Sequence, residues 1–215
     1  MLCGGNSERM GFDKWRLPIG SVTMLDHIVE QLQKVCSPIV ISVSTESSTG
    51  SARLEESDNV FEVTDDVANA GPMEGIRASL EFLETRCRFA FVTACDIPFV
   101  NRDVIEHLRN NIGDAEAVIP VRAGRRFGMT SLIRTTAHTR ISRLISNRQL
   151  KVSYLADELN CVEIQAEQLQ SVDENLLCLT NINTPDQYTS YLKSRGIECD
   201  PETHKLLFDR KGRSS

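Results

Sequence analysis

Four short stretches of the 215-residue chain combine residue types that can handle phosphate groups and a hard cation. The first is LCGGNSERMGFDK, residues 2–14. Gly4 and Gly5 let the main chain approach a ligand closely and take positive φ. A turn of this kind presents successive N–H groups to an anion, and Arg9 and Lys14 add positive charge at two depths. A plain turn explains a glycine pair by itself. It does not explain the pair together with Arg9, Gly11, Asp13 and Lys14 in so short a span. No Gly-Lys-Ser/Thr closes the segment, so it is not a P-loop, and it lacks the GxGxxG spacing of dinucleotide sites.

The second stretch, TDDVANAGPMEGI (64–76), is an acidic turn leading into a helix. Asp65, or its neighbour Asp66, could serve a ligand there, or simply capping and turn chemistry. The third, FVTACDIPFV (91–100), sets Asp96 directly after an apolar strand. A carboxylate so placed suits Mg²⁺, which takes hard oxygen and shares its coordination with substrate phosphates. Its alternative role, capping the next helix, can fall to Asn101. The fourth, LTNINTPDQY (179–188), carries Asn181 and Asn183 ahead of Thr184-Pro185-Asp186, a helix start.

The elements between these loops must position them. Residues 24–35 place Met24, Leu25, Ile28, Val29, Leu32 and Val35 at helical spacing. Residues 39–44 (IVISVS) and 60–63 read as strands, separated by a Ser- and Glu-rich loop. Residues 73–86 predict a helix, and 89–93 (FAFVT) a strand buried on both faces. A helix over 101–111 and a strand over 115–121 follow, then helical patterns at 135–148 and 152–159. Strands are expected near 162–165 and 176–179, and a last helix from Pro185. Strands alternating with helices predict an α/β fold, a three-layer sandwich with a mostly parallel Rossmann-like sheet and helices on both faces. Ligands in such folds gather beyond the carboxyl ends of the strands. One domain is expected over 1–198, followed by a polar, loosely held tail over 199–215.

Composition narrows the class. Lys plus Arg number 24 against 30 Asp plus Glu, a formal charge of −6, which argues against general binding to nucleic acid. No apolar run reaches the roughly 20 residues that span a bilayer, and the N-terminus lacks a secretory apolar region. Seven scattered cysteines without a CxxC fit reduced thiols, so a cytoplasmic protein is expected. Residues 117–156 hold eight basic residues and no acid, from Arg122 to Lys151. Such a run is either a solvated face paired with acidic neighbours or an anion-binding wall.

The first loop resembles the signature LAGGxSxRMGxDK of the molybdenum cofactor guanylyltransferases, the molybdopterin-guanine dinucleotide biosynthesis protein A family of Rossmann-like nucleotidyltransferases. Cys3 stands where that family usually has Ala. The second loop is similar to the family's D…GPLAG segment, with Met73 and Glu74 replacing Leu and Ala, and the third to its CDxP motif at Cys95, Asp96 and Pro98. The fourth is similar to NVNTPED, and the likeness extends over residues 2–192. It implies GTP bound by Leu2, Cys3, Gly4, Gly5, Lys14, Asp65 and Asp96, with Asp96 as the Mg²⁺ ligand. Asn181 and Asn183 would lie near the metal and the incoming pterin phosphate.

The implied reaction moves GMP from GTP to the terminal phosphate of molybdenum cofactor and releases pyrophosphate. Arg9, Lys14 and Asp96 would carry it, without a general base, since that phosphate is already ionised. His27, His107, His138 and His204 all fall outside the four loops. Partners so implied are GTP, the molybdopterin, and proteins that donate or accept the cofactor. Three alternatives stay open. Cytidylyl transfer to the same pterin is disfavoured by Gly4-Gly5, where cytidylyltransferases usually read LAAG. Sugar-phosphate nucleotidyltransferases usually carry GxGTR, unlike residues 5–9 here. A catalytically silent nucleotide-binding relative is the third. One departure stands out: the family has an apolar first strand before the glycine loop, whereas this chain begins Met1-Leu2. Either the chain begins late or the sheet lacks a full first strand.

Overall fold

The computed structural model describes residues 1–3, 13–43, 49, 57–65 and 71–208. The main sheet is built from β1 (Leu2–Cys3), β4 (Ile39–Val43), β5 (Val60–Thr64), β6 (Phe89–Val92), β7 (Ala117–Arg122), β9 (Ser131–Arg134) and β10 (Cys161–Gln165). Strand order is β5-β4-β1 on one side and β6-β9-β7-β10 on the other. A parallel bridge between Leu2 and Ala94 joins the two halves. Only β9, together with the two-residue β8 (Arg125–Arg126), runs antiparallel to its neighbours. A separate hairpin, β2 (Pro18–Ile19) and β3 (Val22–Thr23), turns at Gly20, whose φ of +64° suits glycine.

Period-two alternation sends residues of one strand into different cores. Cys3 enters the cluster under α1 (Met24–Gln33) and Leu2 enters the opposite one, with α2 (Pro72–Leu83). Val118 and Leu132 face α3 (Arg102–Asn111), whereas Ala117, Ile119 and Ile133 face α2 and α4 (His138–Ser146). Helices therefore cover both faces of a mostly parallel Rossmann-like sheet, as the alternation of elements predicts. Helix starts follow local chemistry. The Thr23 hydroxyl caps α1 by accepting from Asp26 N–H at 3.1 Å. Asn101 accepts from Asp103 and Val104 N–H, leaving Asp96 free of that duty. Thr184 and Gln187 form a capping box on α6 (Pro185–Ser194).

Three expectations change. Residues 176–179 are not a strand: Leu177–Leu179 form a 3₁₀ turn, entered from Leu176 at φ +51°. The Asp173 carboxylate accepts from the N–H groups of Leu177 and Cys178, and this local capping outweighs the strand propensity of the apolar run. The segment 152–159 splits into a 3₁₀ turn, Val152–Tyr154, and the short helix α5 (Leu155–Glu158). Within 199–215, expected to be loosely held, Pro201–Phe208 form helix α7, and Leu207 buries in the core beside α1. The Asp200 carboxylate accepts from Thr203 N–H at its start.

Four of the eight basic residues of the run 117–156 are paired with neighbours. Arg126 pairs with Asp157 and Glu163 at 2.7 Å each, and Arg140 with Glu116 at 2.8 Å. Arg122 meets Glu167, and Arg134 donates to the carbonyls of Ala115 and Gly113. These four arginines form a paired face, not a wall.

Helix α2 passes close over β1 and β4. A Cβ on Gly75 would lie 2.5 Å from Ser42 Oγ and 2.8 Å from Leu2 Cδ2. One turn further along, Ser79 is buried, and its hydroxyl has no partner among the described residues. It lines a cavity of about 470 Å³ bounded by the edges of β4 and β6, by Leu80 and Leu83 of α2 and by Ile105 of α3. Met1 and Leu2 also line it. Two alanine substitutions on one helix should then act oppositely. Ser79→Ala should stabilise by about 1 kcal/mol, through helix propensity and removal of a buried unpaired hydroxyl. Gly75→Ala should destabilise by about 1–3 kcal/mol despite the same propensity gain, because the overpacking term dominates. Urea unfolding measures both, and a stabilised Gly75→Ala would refute the close approach.

Candidate active site

The carboxyl ends of β1, β4, β5 and β6 share one edge of the sheet, because these strands are parallel. The third loop leaves that edge at Asp96. Cys95 N–H donates to the Leu2 carbonyl at 2.9 Å, and Leu2 N–H to Thr93, so the root of the first loop and the root of the third are one ladder. Asp96 in turn accepts, through its main-chain carbonyl, the N–H of Ile182 at 2.7 Å. The fourth loop is thereby fixed against the third.

Four side chains meet at this junction. Lys14, on a 3₁₀ turn over Lys14–Arg16, donates from Nζ to Asp96 Oδ2 at 3.0 Å and to Asn183 Oδ1 at 2.5 Å. Asn181 donates from Nδ2 to Asp96 Oδ1 at 3.2 Å. Both carboxylate oxygens are therefore engaged. The Lys14 and Asp96 side chains keep 17% and 16% of their surface exposed, so the pair is sheltered yet open to solvent. An ion pair here is screened less than one on the surface.

The other expected residues divide. Asp65 follows β5 on the same edge, where its N–H donates to Val43 and its carboxylate accepts the Ser42 hydroxyl at 2.9 Å. Leu2 and Cys3 lie in β1 with side chains buried in the two cores, and the Leu2 main chain is taken up by the ladder to Thr93 and Cys95. Register places Cys3 opposite Cys95. The hydrogen bond to Cys95, and then burial, push the Cys3 thiol far above its ordinary range, so it stays neutral and is no nucleophile. Gly4, Gly5, Arg9 and Asp66 lie outside the described residues.

A divalent cation fits this donor set. Among the described residues no three His, Cys, Asp or Glu side chains gather as a self-sufficient metal cage. A single carboxylate, here with the Asn183 amide oxygen beside it, is enough for Mg²⁺ when substrate phosphates complete its shell. The Lys14 ammonium already acts as a stand-in, a cation seated between Asp96 Oδ2 and Asn183 Oδ1. No histidine joins the cluster. His27 bonds Tyr191 at 2.7 Å between α1 and α6, where burial lowers its pKa, and His138 bonds Glu84. The resemblance placed Asn181 near the metal of Asp96, but the spacing of the residues could not show a direct bond to a carboxylate 85 residues earlier. The buried Glu74–Arg77 ion pair at 2.6 Å was also missed, although its i, i+3 spacing was a signal.

The MobA-like NTP transferase domain model matches residues 1–162. A protein of Mycobacterium avium called a probable molybdenum cofactor guanylyltransferase is 30% identical over 204 residues, 91% of this chain and 94% of its own length. A Carboxydothermus hydrogenoformans protein of the same description is 27% identical over 198 residues, covering 90% of this chain and 93% of that one. The crystal structure of molybdopterin-guanine dinucleotide biosynthesis protein A from Archaeoglobus fulgidus superposes with a TM-score of 0.74 at 23% identity, over 91% of this chain and 96% of that one. With its fold, its shared strand edge and three quarters of its length matched, the chain belongs to the MobA-like NTP transferase family and is a nucleotidyltransferase.

Proposed function

We propose that the protein transfers GMP from GTP to the terminal phosphate of molybdenum cofactor, with release of pyrophosphate. The relatives described as molybdenum cofactor guanylyltransferases support guanylyl transfer in the biosynthesis of that cofactor. One observation carries the site: Lys14, Asp96, Asn181 and Asn183 converge on a single point of the sheet's carboxyl edge. In this reading the glycine loop, with Leu2, Cys3, Gly4 and Gly5, receives the nucleotide through its main chain, and Asp65 supports it from β5. Asp96 holds Mg²⁺, and Asn183 offers a second oxygen beside it. An ion held there would supply positive charge to offset the charge that develops on the α-phosphate.

The remaining work falls to the chain. Lys14 and Arg9 hold the β- and γ-phosphates, which orients the leaving group in line and eases its departure. Asn181 keeps the Asp96 carboxylate turned toward the cleft. The pterin phosphate arrives ionised, so the site has no proton to remove, in keeping with a cluster free of histidine. We place the enzyme in the cytoplasm, in keeping with seven free thiols. Among the described residues no helix is long and apolar enough to cross a membrane.

Protein incubated with GTP, Mg²⁺ and molybdenum cofactor should release pyrophosphate. Asp96→Ala should lower that rate by about 10³-fold in protein that still folds, as checked by circular dichroism, as expected when charge stabilisation at a reacting phosphate is lost. Retained activity in the variant would remove Asp96 from the mechanism. In competition, GTP should outpace CTP; a preference for CTP would reassign the enzyme as a cytidylyltransferase, and nucleotide binding without pyrophosphate release would mark a silent relative.

A further inference from the structure

We propose that Lys14 is a resident counter-cation which the divalent metal must displace, so that metal and triphosphate bind as a coupled pair. The inference rests on the reading of Asp96 as the metal's ligand. The Lys14 ammonium contacts the two oxygens best placed to coordinate an ion, Asp96 Oδ2 and Asn183 Oδ1. A divalent ion and an ammonium cannot share those oxygens, since their repulsion in a sheltered site exceeds what either gains. Lys14 must leave for the metal to enter.

The neighbourhood is arranged for that exchange. Asn181 bonds the other carboxylate oxygen, Oδ1, so Asp96 keeps its orientation when Oδ2 is released. The Asp96 main chain stays fixed by the N–H of Ile182. Lysine carries a point charge on a flexible stem, which can swing by rotamer change alone, whereas an arginine fork would bind the carboxylate in two places. Lys14 also lies immediately beyond the glycine loop, so an incoming triphosphate offers the ammonium a second anion. One movement thereby frees two oxygens for the metal and delivers a cation to the phosphates. Without nucleotide, the metal must compete with Lys14 and binds weakly. With nucleotide, the competitor has been drawn away, and each ligand raises the affinity of the other by the same factor.

Mn²⁺ alone, with no nucleotide present, is the probe, and its free concentration is read by electron paramagnetic resonance. Lys14→Met and Lys14→Ala should each bind Mn²⁺ at least about tenfold more tightly than the unmutated protein. Lys14→Arg, which keeps the charge, should stay at or below the unmutated affinity. Asp96→Asn should abolish the site. In the unmutated protein, Mg²⁺ alone should raise the rate at which acetic anhydride labels Lys14 severalfold, as read by peptide mass spectrometry. Neutral variants that bind Mn²⁺ no more tightly, or Lys14 labelling indifferent to Mg²⁺, would overturn the exchange. Full Mn²⁺ binding by Asp96→Asn would instead overturn the metal assignment on which it rests.

Discussion

The structure turns on one carboxylate held from both ends of the chain. Asp96 is grasped by Lys14 from 82 residues upstream and by Asn181 from 85 residues downstream. Neither contact can exist until the chain has folded, because Lys14 and Asp96 follow different strands and Asn181 follows the Leu177–Leu179 turn. Parallel strands make the meeting possible, since each leaves its following loop on the same edge. The bridge from Leu2 to Ala94 matters most here. Among the described residues it is the strand bridge that links the two halves of the sheet, and it lies one residue from Cys3 and two from Asp96. The site and the seam of the fold are thus the same place.

That coincidence constrains the packing around it. A strand buried on both faces needs apolar residues in both directions, and β1 meets the demand with only Leu2 and Cys3. The 470 Å³ cavity lies beside this strand, between the edges of β4 and β6. Close approach of α2 compensates on the carboxyl side. Gly75 brings that helix against Ser42 and Leu2, and Ser42 in turn holds Asp65. Packing is therefore tight beneath the ligand edge.

What was legible in the sequence was local. The helix over Met24–Gln33 announced itself by apolar spacing, and the strand before Asp96 by an unbroken apolar run. Asp96 could be singled out because Asn101 satisfied the capping role that competed for it. Less legible were elements whose form depends on distant partners. Ser131–Arg134 (SLIR) sits inside a basic run and shows no clean alternation, yet it becomes an antiparallel strand between β6 and β7. The turn at Leu177–Leu179 hides behind an apolar composition that reads as strand, because Asp173 captures its N–H groups. At the site, residue types were readable and their pairing was not. Spacing alone could not reveal that Lys14 would bond an asparagine 169 residues away.

The fate of the positive charges follows from the same geometry. The arginines of residues 117–156 that are paired lie on β7, β8, β9 and α4, away from the ladder that carries Leu2 and Asp96, and their partners are carboxylates or carbonyls of their own half. An anion at the ligand edge must draw its positive charge from elsewhere. Lys14 is the described cation placed for this, and at rest it is bound to Asp96. A standing positive field would bind many anions equally well, whereas a neutralised pair exerts little long-range attraction. Selectivity then favours a ligand that brings its own divalent cation to replace the lysine on the carboxylate, which a metal–triphosphate complex does and a bare phosphate does not.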